Sequence, residues 1–568
     1  MQERYEGEMI GAEVACSILK TEGVKYVFGV PGNSEVPILD ALAQTRGIRY
    51  ISAIHESVSM AMADGYARAS GNVGVVLVHT TPGTANIIGN LSNAYDAGTP
   101  LVVIAGQQDS RLQWCDSLLD SDILPMVSQH TKDRWRVGRA EDIAIAMNRA
   151  FKEASTPPTG PVFLVIPRDL QAQTLTIEHL PPPRRQVPMS IRPDREYLKK
   201  AAQLLVSAKQ PAIMAGSQVP SADAIPELTE LAEILGAPVF TTGLVPSFIF
   251  PTNHPLYYGR VPPIGFGLPG LDSPADVLVA VGSKLFKQLF HIEGPIIPPS
   301  TKLIHIDHDP KALAKECPAE VALVGSPKAV LAELATEVKR LMSPRQHQKS
   351  RQRFKKLQRG HEQARAACEA DFKKEWNDVP MRPSRAIKEI ANALPSDSVV
   401  VDEAVMLTSY VASIMEFTVP GSYFCSITSL GWGLPASLGV GLANSRKPVL
   451  ALVGDGSALF GIQALWSAAK YQIPVIMVIL NNQGYAAVKW GFASYPDRKS
   501  GEGADLGYDL GNVDFPKLAQ AFNVSSQRIE KPNEIGTSLR RAIRARKPVL
   551  LDIMVDPSDV GYGMPRLS

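Results

Sequence analysis

Short apolar runs alternate with longer stretches of helical periodicity along the whole chain, the pattern of strand and helix units that build a mainly parallel sheet. In the first third, residues 26–28, 73–78, 101–105 and 162–166 read as buried strands, with helices at 34–42 and 84–95 and Gly and Pro at the turns. Strands are expected again at 212–215, 277–281 and 303–306, with helices at 224–235 and 328–341. A last set falls at 398–401, 449–453, 475–480 and 549–553. No repeat of short fixed period runs through the pattern.

Two interruptions divide it. Pro181, Pro182 and Pro183 stand in a polar stretch, 180–193, that cannot continue a central strand or a helix. Residues 343–375 are rich in Arg, Lys, Gln and Glu with almost no apolar periodicity, as in a solvated helix or a linker. The expected fold class is therefore α/β with three domains, 1–185, 190–342 and 379–568, each a mainly parallel sheet flanked by helices. A charged helical linker, 343–378, joins the second to the third.

Composition narrows the function classes. The 568 residues are 45% hydrophobic and 20% charged, as in folded globular proteins and unlike disordered chains. Lys and Arg total 58 against 56 Asp and Glu, so a net charge of +2 offers no field for binding nucleic acid. Five scattered cysteines, Cys16, Cys115, Cys317, Cys368 and Cys425, lack CxxC spacing and argue against a disulfide framework or a zinc site. Residues 1–11 carry Glu3, Glu6 and Glu8 and no basic, apolar leader. No apolar run reaches the roughly 18 residues that a membrane span needs. A soluble, cytoplasmic protein is expected.

The chemistry concentrates at strand ends. Gly454-Asp455-Gly456-Ser457 follows the strand at 449–453, and the strand at 475–480 runs into Asn481-Asn482. Both clusters fall at carboxyl ends of parallel strands, where open α/β sheets bind ligands. The Asp455 carboxylate and the Asn482 carbonyl are hard oxygen donors suited to Mg²⁺ or Ca²⁺. Gly454 and Gly456 let the backbone approach a phosphate, and the helix that follows favours an anion at its start. Alone, the four residues also fit an Asp-Gly turn that caps a helix.

With the amphipathic segment 461–471 and the strand ending at Asn482, they resemble the thiamine diphosphate motif. In the first domain, His55-Glu56 precedes a helix of small residues, Met60-Ala61-Met62-Ala63-Asp64-Gly65-Tyr66-Ala67. Residues 28–32 (FGVPG), 78–86 with His79 and Pro82-Gly83-Thr84, and 105–108 (AGQQ) extend the resemblance. The whole chain is similar to the benzoylformate decarboxylase branch of the pyruvate decarboxylase and acetolactate synthase superfamily.

That resemblance implies a pyrimidine-binding domain, a middle domain and a diphosphate-binding domain, with thiamine diphosphate held through Mg²⁺, or Ca²⁺. The site is expected between the subunits of a homodimer, within a homotetramer, with Glu56 of one subunit facing Asp455 of its partner. Glu56 would share a proton with the pyrimidine ring, since a carboxyl shielded from water favours its neutral form. Read alone, Glu56 also fits the start of a helix near its positive end. Leu430 would prop the cofactor, the Thr428 carbonyl would meet its amino group, and Gly454, Gly456, Ser457 and Tyr485 would line it. Gly484 would add a backbone oxygen to Asp455 and Asn482 on the metal. His79 and His291 match two active-site histidines, the second offset by a couple of residues.

Two departures bear on substrate. The family has Ser then Asn after the first PG turn, where this chain has Asn33-Ser34, so one of the two is expected to meet the substrate carboxylate. Val488 and Gly491 replace bulkier apolar residues around the segment 485–490. The implied reaction is decarboxylation of a 2-oxo acid to an aldehyde, by addition of the cofactor's ylid to the keto carbon and loss of carbon dioxide. The alternative is a carboligase or lyase acting on a 2-oxo acid or aldehyde, like acetolactate synthase or 2-hydroxyacyl-CoA lyase. A catalytically idle cofactor-binding subunit is a third reading, disfavoured by the intact Glu56, His79, Asp455 and Asn482. The isolated Gly282-Ser283 turn leaves FAD or ADP binding in the middle domain open.

Overall fold

Runs such as Val75-Val76-Leu77-Val78 and Val475-Ile476-Met477-Val478 become strands buried along their length, because helices cover both faces of the sheets. The computed structural model describes residues 7–561 except 178–179, 181–189, 244, 262–267, 269–270, 272–273, 286–290, 292 and 496–505. Pro181, Pro182 and Pro183, like Glu3 and Glu6, lie outside the described residues. Among the described residues the strands form three six-stranded sheets and one antiparallel ribbon, Gly7–Ile10 with Thr174–Ile177.

The contacts divide the chain into two compact units. The first comprises Met1–Val187, Asp378–Tyr410 and Ser426–Ser568. Its amino-terminal sheet runs Arg49–Ser52, Tyr26–Gly29, Gly74–His79, Leu101–Gln107, Pro161–Pro167, Asp133–Arg136, parallel throughout. Its carboxy-terminal sheet, inward from an edge strand, runs Val399–Glu403, Val449–Gly454, Val475–Asn481, Val549–Met554, Ser525–Ile529, again with parallel pairing. The second unit, Pro188–Asn377 with Val411–Cys425, holds the parallel sheet Tyr257–Arg260, Val239–Thr241, Pro211–Ala215, Val277–Val281, Lys302–Asp307, Val321–Val324.

Residues 344–374 form one helix, Pro344–Lys374, opened by a Ser343/Gln346 capping box. Ser350 is its one buried side chain, and the Ser350 hydroxyl donates to the Ile234 carbonyl at 2.5 Å.

Two helices start earlier than their periodicity predicts. Thr80–Ala97 begins directly after His79, and Asp455–Gly461 forms its own helix ahead of Ala464–Tyr471. In the second case Asp455, Gly456, Ser457 and Ala458 are all buried, so packing overrides the poor helix propensity of the first three.

Within the first unit, the helices Glu56–Ser70 and Gly433–Ala443 pack backbone to backbone. A Cβ at Gly439 would collide with the Met62 carbonyl, and one at Gly65 with that of Ala436. Beside this contact, Asp64 takes the Arg68 guanidinium in two hydrogen bonds of 2.8 and 2.6 Å and the Trp432 indole N–H at 2.7 Å. Asp64 and Trp432 are fully buried, and Arg68 also lies over the Trp432 ring, 4.7 Å from its centre. From the next helix, Asn93 donates to Asp64 at 3.3 Å, while its carbonyl accepts the backbone N–H of Ile427 and Thr428.

A second buried acid closes the same region. Glu403, at the end of Val399–Glu403, accepts the backbone N–H groups of Trp432 (3.3 Å) and Gly433 (2.6 Å). Burial pushes its carboxyl up to about 8, against the pull of those donors.

Replacing Asp64 by Ala strands the Arg68 charge and the Trp432 N–H, so Asp64→Ala should destabilise the first unit by about 3–5 kcal/mol. Trp432→Phe, removing one donor, should cost about 1–3 kcal/mol. Urea titration followed by circular dichroism tests both, and equal midpoints for the two variants would contradict the charge argument. For Glu403 the sign follows from its raised folded value: the native chain keeps a proton that the unfolded chain releases. Its contribution is full below the unfolded value of 4.5 and is lost as pH rises through about 8. Glu403→Gln should flatten that decline between pH 5 and pH 8, which urea midpoints at the two pH values would show.

Candidate active site

The parallel strands of the first unit bring polar residues to two carboxyl edges. At the amino-terminal sheet, His79 ends Gly74–His79 and pairs in register with Gly106. The next residue, Thr80, is fully buried at φ 41°, a left-handed conformation uncommon for a β-branched side chain, and its hydroxyl has no partner among the described residues. Strain of this kind persists where the surroundings dictate it, and here it turns the chain from strand to helix immediately behind His79. The His79 side chain is 19% exposed.

The turn Asn33–Glu35 packs against this histidine. Ser34 is buried and its Oγ lies 2.8 Å from His79 Nδ1, whereas Asn33 is exposed. Of the two candidates after the PG turn, Ser34 therefore points inward, and its hydroxyl is engaged by His79 and by the Glu35 carboxylate.

Glu56 opens the helix Glu56–Ser70, whose first turn is capped by His55 Nδ1 accepting from the Ser57 N–H at 3.2 Å. Asn86, from the neighbouring helix, donates to Glu56 Oε2 at 2.8 Å. Gly83 leaves room for that carboxylate, since a Cβ there would touch Glu56 Oε1 at 3.4 Å. Glu56 is only half-buried within this chain.

At the carboxy-terminal sheet, Asp455 follows Val449–Gly454 directly. Its Oδ1 accepts the Gly456 N–H at 2.7 Å and its Oδ2 the Gly484 N–H at 3.0 Å. Burial pushes the carboxyl up to about 6, so a cation beside it would favour its ionised form. Asn482 is 5% exposed, and Gly484 is buried. The two asparagines diverge: Asn481 donates to Asp552 at 3.0 Å inside the sheet, leaving Asn482 to the edge. Asp455 and Gly484 thus meet through a hydrogen bond, and Asn482 follows the strand next to the one that Asp455 follows.

A Cβ on Gly454 would make only an ordinary contact with the Ala404 carbonyl, at 3.9 Å, Ser457 is buried, and the Tyr485 ring lies where a Cβ on Gly456 would reach it at 2.6 Å. Thr428 and Leu430 are exposed on the loop that Asn93 holds, Leu430 to 40%. His291 is exposed and belongs to the second unit. Residues 287–290, which carry its match, lie outside the described residues. Val488 is 45% exposed.

Sequence reasoning missed Glu35, Glu403 and the pairing of Asn86 with Glu56. One signal for Glu35 was present: residues 35, 38 and 42 share a helical face, and Ile38 and Leu42 are apolar, so an acid stood on a stripe destined for the core.

The chain matches, over residues 9–154, the N-terminal TPP binding domain of the thiamine pyrophosphate enzymes. Residues 198–334 match the family's central domain, and 404–553 its C-terminal TPP binding domain. Benzoylformate decarboxylase of Pseudomonas aeruginosa is 32% identical, over 94% of this chain and 97% of that protein. The acetolactate synthase isozyme 3 large subunit of Escherichia coli is 30% identical, over 98% and 96%. Among solved structures, the thiamine diphosphate-dependent 4-hydroxybenzoylformate decarboxylase of Rhodococcus jostii superposes with a TM-score of 0.83 at 27% identity, covering 96% of this chain and 99% of that one. With three domain matches in order and relatives aligned nearly end to end, this chain belongs to the thiamine pyrophosphate enzymes and has their α/β fold.

Proposed function

We propose that this enzyme is a 2-oxo acid decarboxylase that holds thiamine diphosphate through Mg²⁺ on Asp455, Asn482 and the Gly484 carbonyl. The observation that carries the reading is His79, an imidazole placed at a sheet edge with one nitrogen held by Ser34, as a proton-transfer group requires. The 32% identity to a benzoylformate decarboxylase points the same way. When bound, the cofactor supplies an electron sink for the carbon that loses carboxylate.

The chain's own residues do the rest. Glu56, oriented by Asn86, exchanges a proton with the pyrimidine ring. Gly454, Gly456, Ser457 and Tyr485 would hold the diphosphate, and the Thr428 carbonyl and Leu430 would contact the rest of the cofactor. His79 delivers a proton to the reacting carbon from Nε2, and Ser34 orients it. A second copy of the chain brings Glu56 opposite Asp455, in a homodimer within a homotetramer. The scattered cysteines fit the cytoplasm.

A carboligase is the second reading, favoured by the 30% identity to an acetolactate synthase and by the exposure of Val488, which leaves space beside the segment 485–490. Incubating the holoenzyme with a panel of 2-oxo acids, with and without aldehyde acceptors, separates the two by product mass. Carbon dioxide and a free aldehyde are expected; carbon dioxide with hydroxyketones or other ligated products and no free aldehyde would overturn the decarboxylase reading in favour of the carboligase.

Asp455→Ala should abolish Mg²⁺-dependent binding of thiamine diphosphate in calorimetry while circular dichroism stays unchanged, because a negative metal ligand is lost. His79→Ala should bind the cofactor like the parent but turn over about 10²- to 10⁴-fold more slowly, as when a general acid or base is removed. Normal turnover of His79→Ala would reduce His79 to a packing role.

A further inference from the structure

The carboxylate of Glu35 plays no part in the chemistry above, yet it is fully buried beneath His79. One of its oxygens, Oε1, accepts a short hydrogen bond from the Ser34 hydroxyl. Ser34 Oγ in turn lies 2.8 Å from His79 Nδ1. The second oxygen, Oε2, is 3.3 Å from the same nitrogen but off the line of a hydrogen bond, and it has no hydrogen-bond partner among the described residues.

The backbone is shaped around this arrangement. Gly106, opposite His79 in the sheet, approaches so closely that a Cβ would overlap Glu35 Oε1 and Ser34 Oγ. At Gly32, a Cβ would run into the His79 ring and into Glu35 Oε2. A side chain at either position would break the contact between acid, hydroxyl and imidazole.

A buried carboxylate needs compensation, and burial duly raises Glu35 above the usual carboxylate range. The groups around it identify the partner. From the strand Arg49–Ser52 it faces the Tyr50 phenol, which burial pushes up, with the charges of Glu35 and Glu56 adding to the rise. The strand Leu101–Gln107 presents Gly106, and the strand Gly74–His79 presents His79. Of these, only His79 can become a cation.

We propose that Glu35 is a positioning residue for His79. The carboxylate takes the Ser34 hydroxyl proton as a hydrogen bond, which leaves Ser34 Oγ to accept the Nδ1–H of His79. The imidazole is then held as the tautomer whose Nε2 lone pair is free to receive a proton and return it. Nδ1 and Ser34 keep their protons throughout. When Nε2 is protonated, the charge forms beside Glu35 Oε2. The inference rests on His79 acting in proton transfer, but its test does not depend on turnover.

The test is ¹⁵N NMR of the full-length chain labelled at histidine, at a pH where imidazole is neutral, with His79 assigned by the signals lost in His79→Gln. In the parent, Nδ1 should carry the proton and Nε2 should not. In Glu35→Gln the amide can donate to Ser34 and reverse the polarity of the chain of hydrogen bonds, so the Nδ1–H signature should be lost in favour of Nε2–H. Ser34→Ala, a gentler change should Glu35→Gln fail to fold, removes the bridging hydroxyl but leaves both Glu35 oxygens 3.3–3.4 Å from Nδ1 as acceptors, so Nδ1–H should persist there. Retention of Nδ1–H in a folded Glu35→Gln, or its loss in Ser34→Ala, would overturn the assignment. Normal turnover in His79→Ala would instead defeat the proton-transfer reading while leaving the tautomer result intact.

Discussion

The site-bearing unit depends on two helices packing without side chains between their backbones. Gly65 and Gly439 permit the approach, and the Asp64 carboxylate locks it by taking Arg68 and the Trp432 indole together. The arrangement couples two sheets far apart in sequence, because Asp64 belongs to the helix that Glu56 opens and Trp432 to the loop that carries Thr428 and Leu430. Removing a partner from a buried ion pair is costly because it leaves an uncompensated charge. The same carboxylate that stabilises the unit therefore sets where the two groups of candidate residues stand within it.

Parallel topology explains the rest of the placement. In both sheets of this unit the strands run the same way, so every strand delivers its last residue to one edge: His79 and Gln107 at one sheet, Glu403, Gly454 and Asn481 at the other. Polar residues that the sequence separates by tens or hundreds of positions become neighbours without any local signal.

What the sequence made legible follows from that difference. The strand runs and the Asp455 and Asn482 clusters could be read because β-branched stretches and the turn residues after them are local features. Which of Asn33 and Ser34 faces inward could not, since adjacent residues in a turn differ only by how the turn packs, and here Gly32 and Gly106 decide it. The burial of Glu403 was equally illegible: an acid at the end of an apolar strand reads as solvent-facing until the N–H groups of Trp432 and Gly433, about thirty residues on, arrive to donate to it. The early start of the helix after His79 was missed because Thr80 takes a conformation that propensity disfavours.

Four of the acids buried in this unit show how environment separates structure from chemistry. Asp64 is matched by a guanidinium and an indole N–H, and Glu403 by backbone donors, so each has its charge or its proton accounted for by fixed neighbours. Asp455 is held by the N–H groups of Gly456 and Gly484, yet burial still raises it. Glu35 keeps one oxygen without a hydrogen-bond partner and sits against the one neighbour whose charge can change. Where a buried acid is fully matched, its removal should cost stability first. Where an oxygen stays without a hydrogen-bond partner, as Glu35 Oε2 does among the described residues, the residue's effect should be read in proton position before it is read in unfolding.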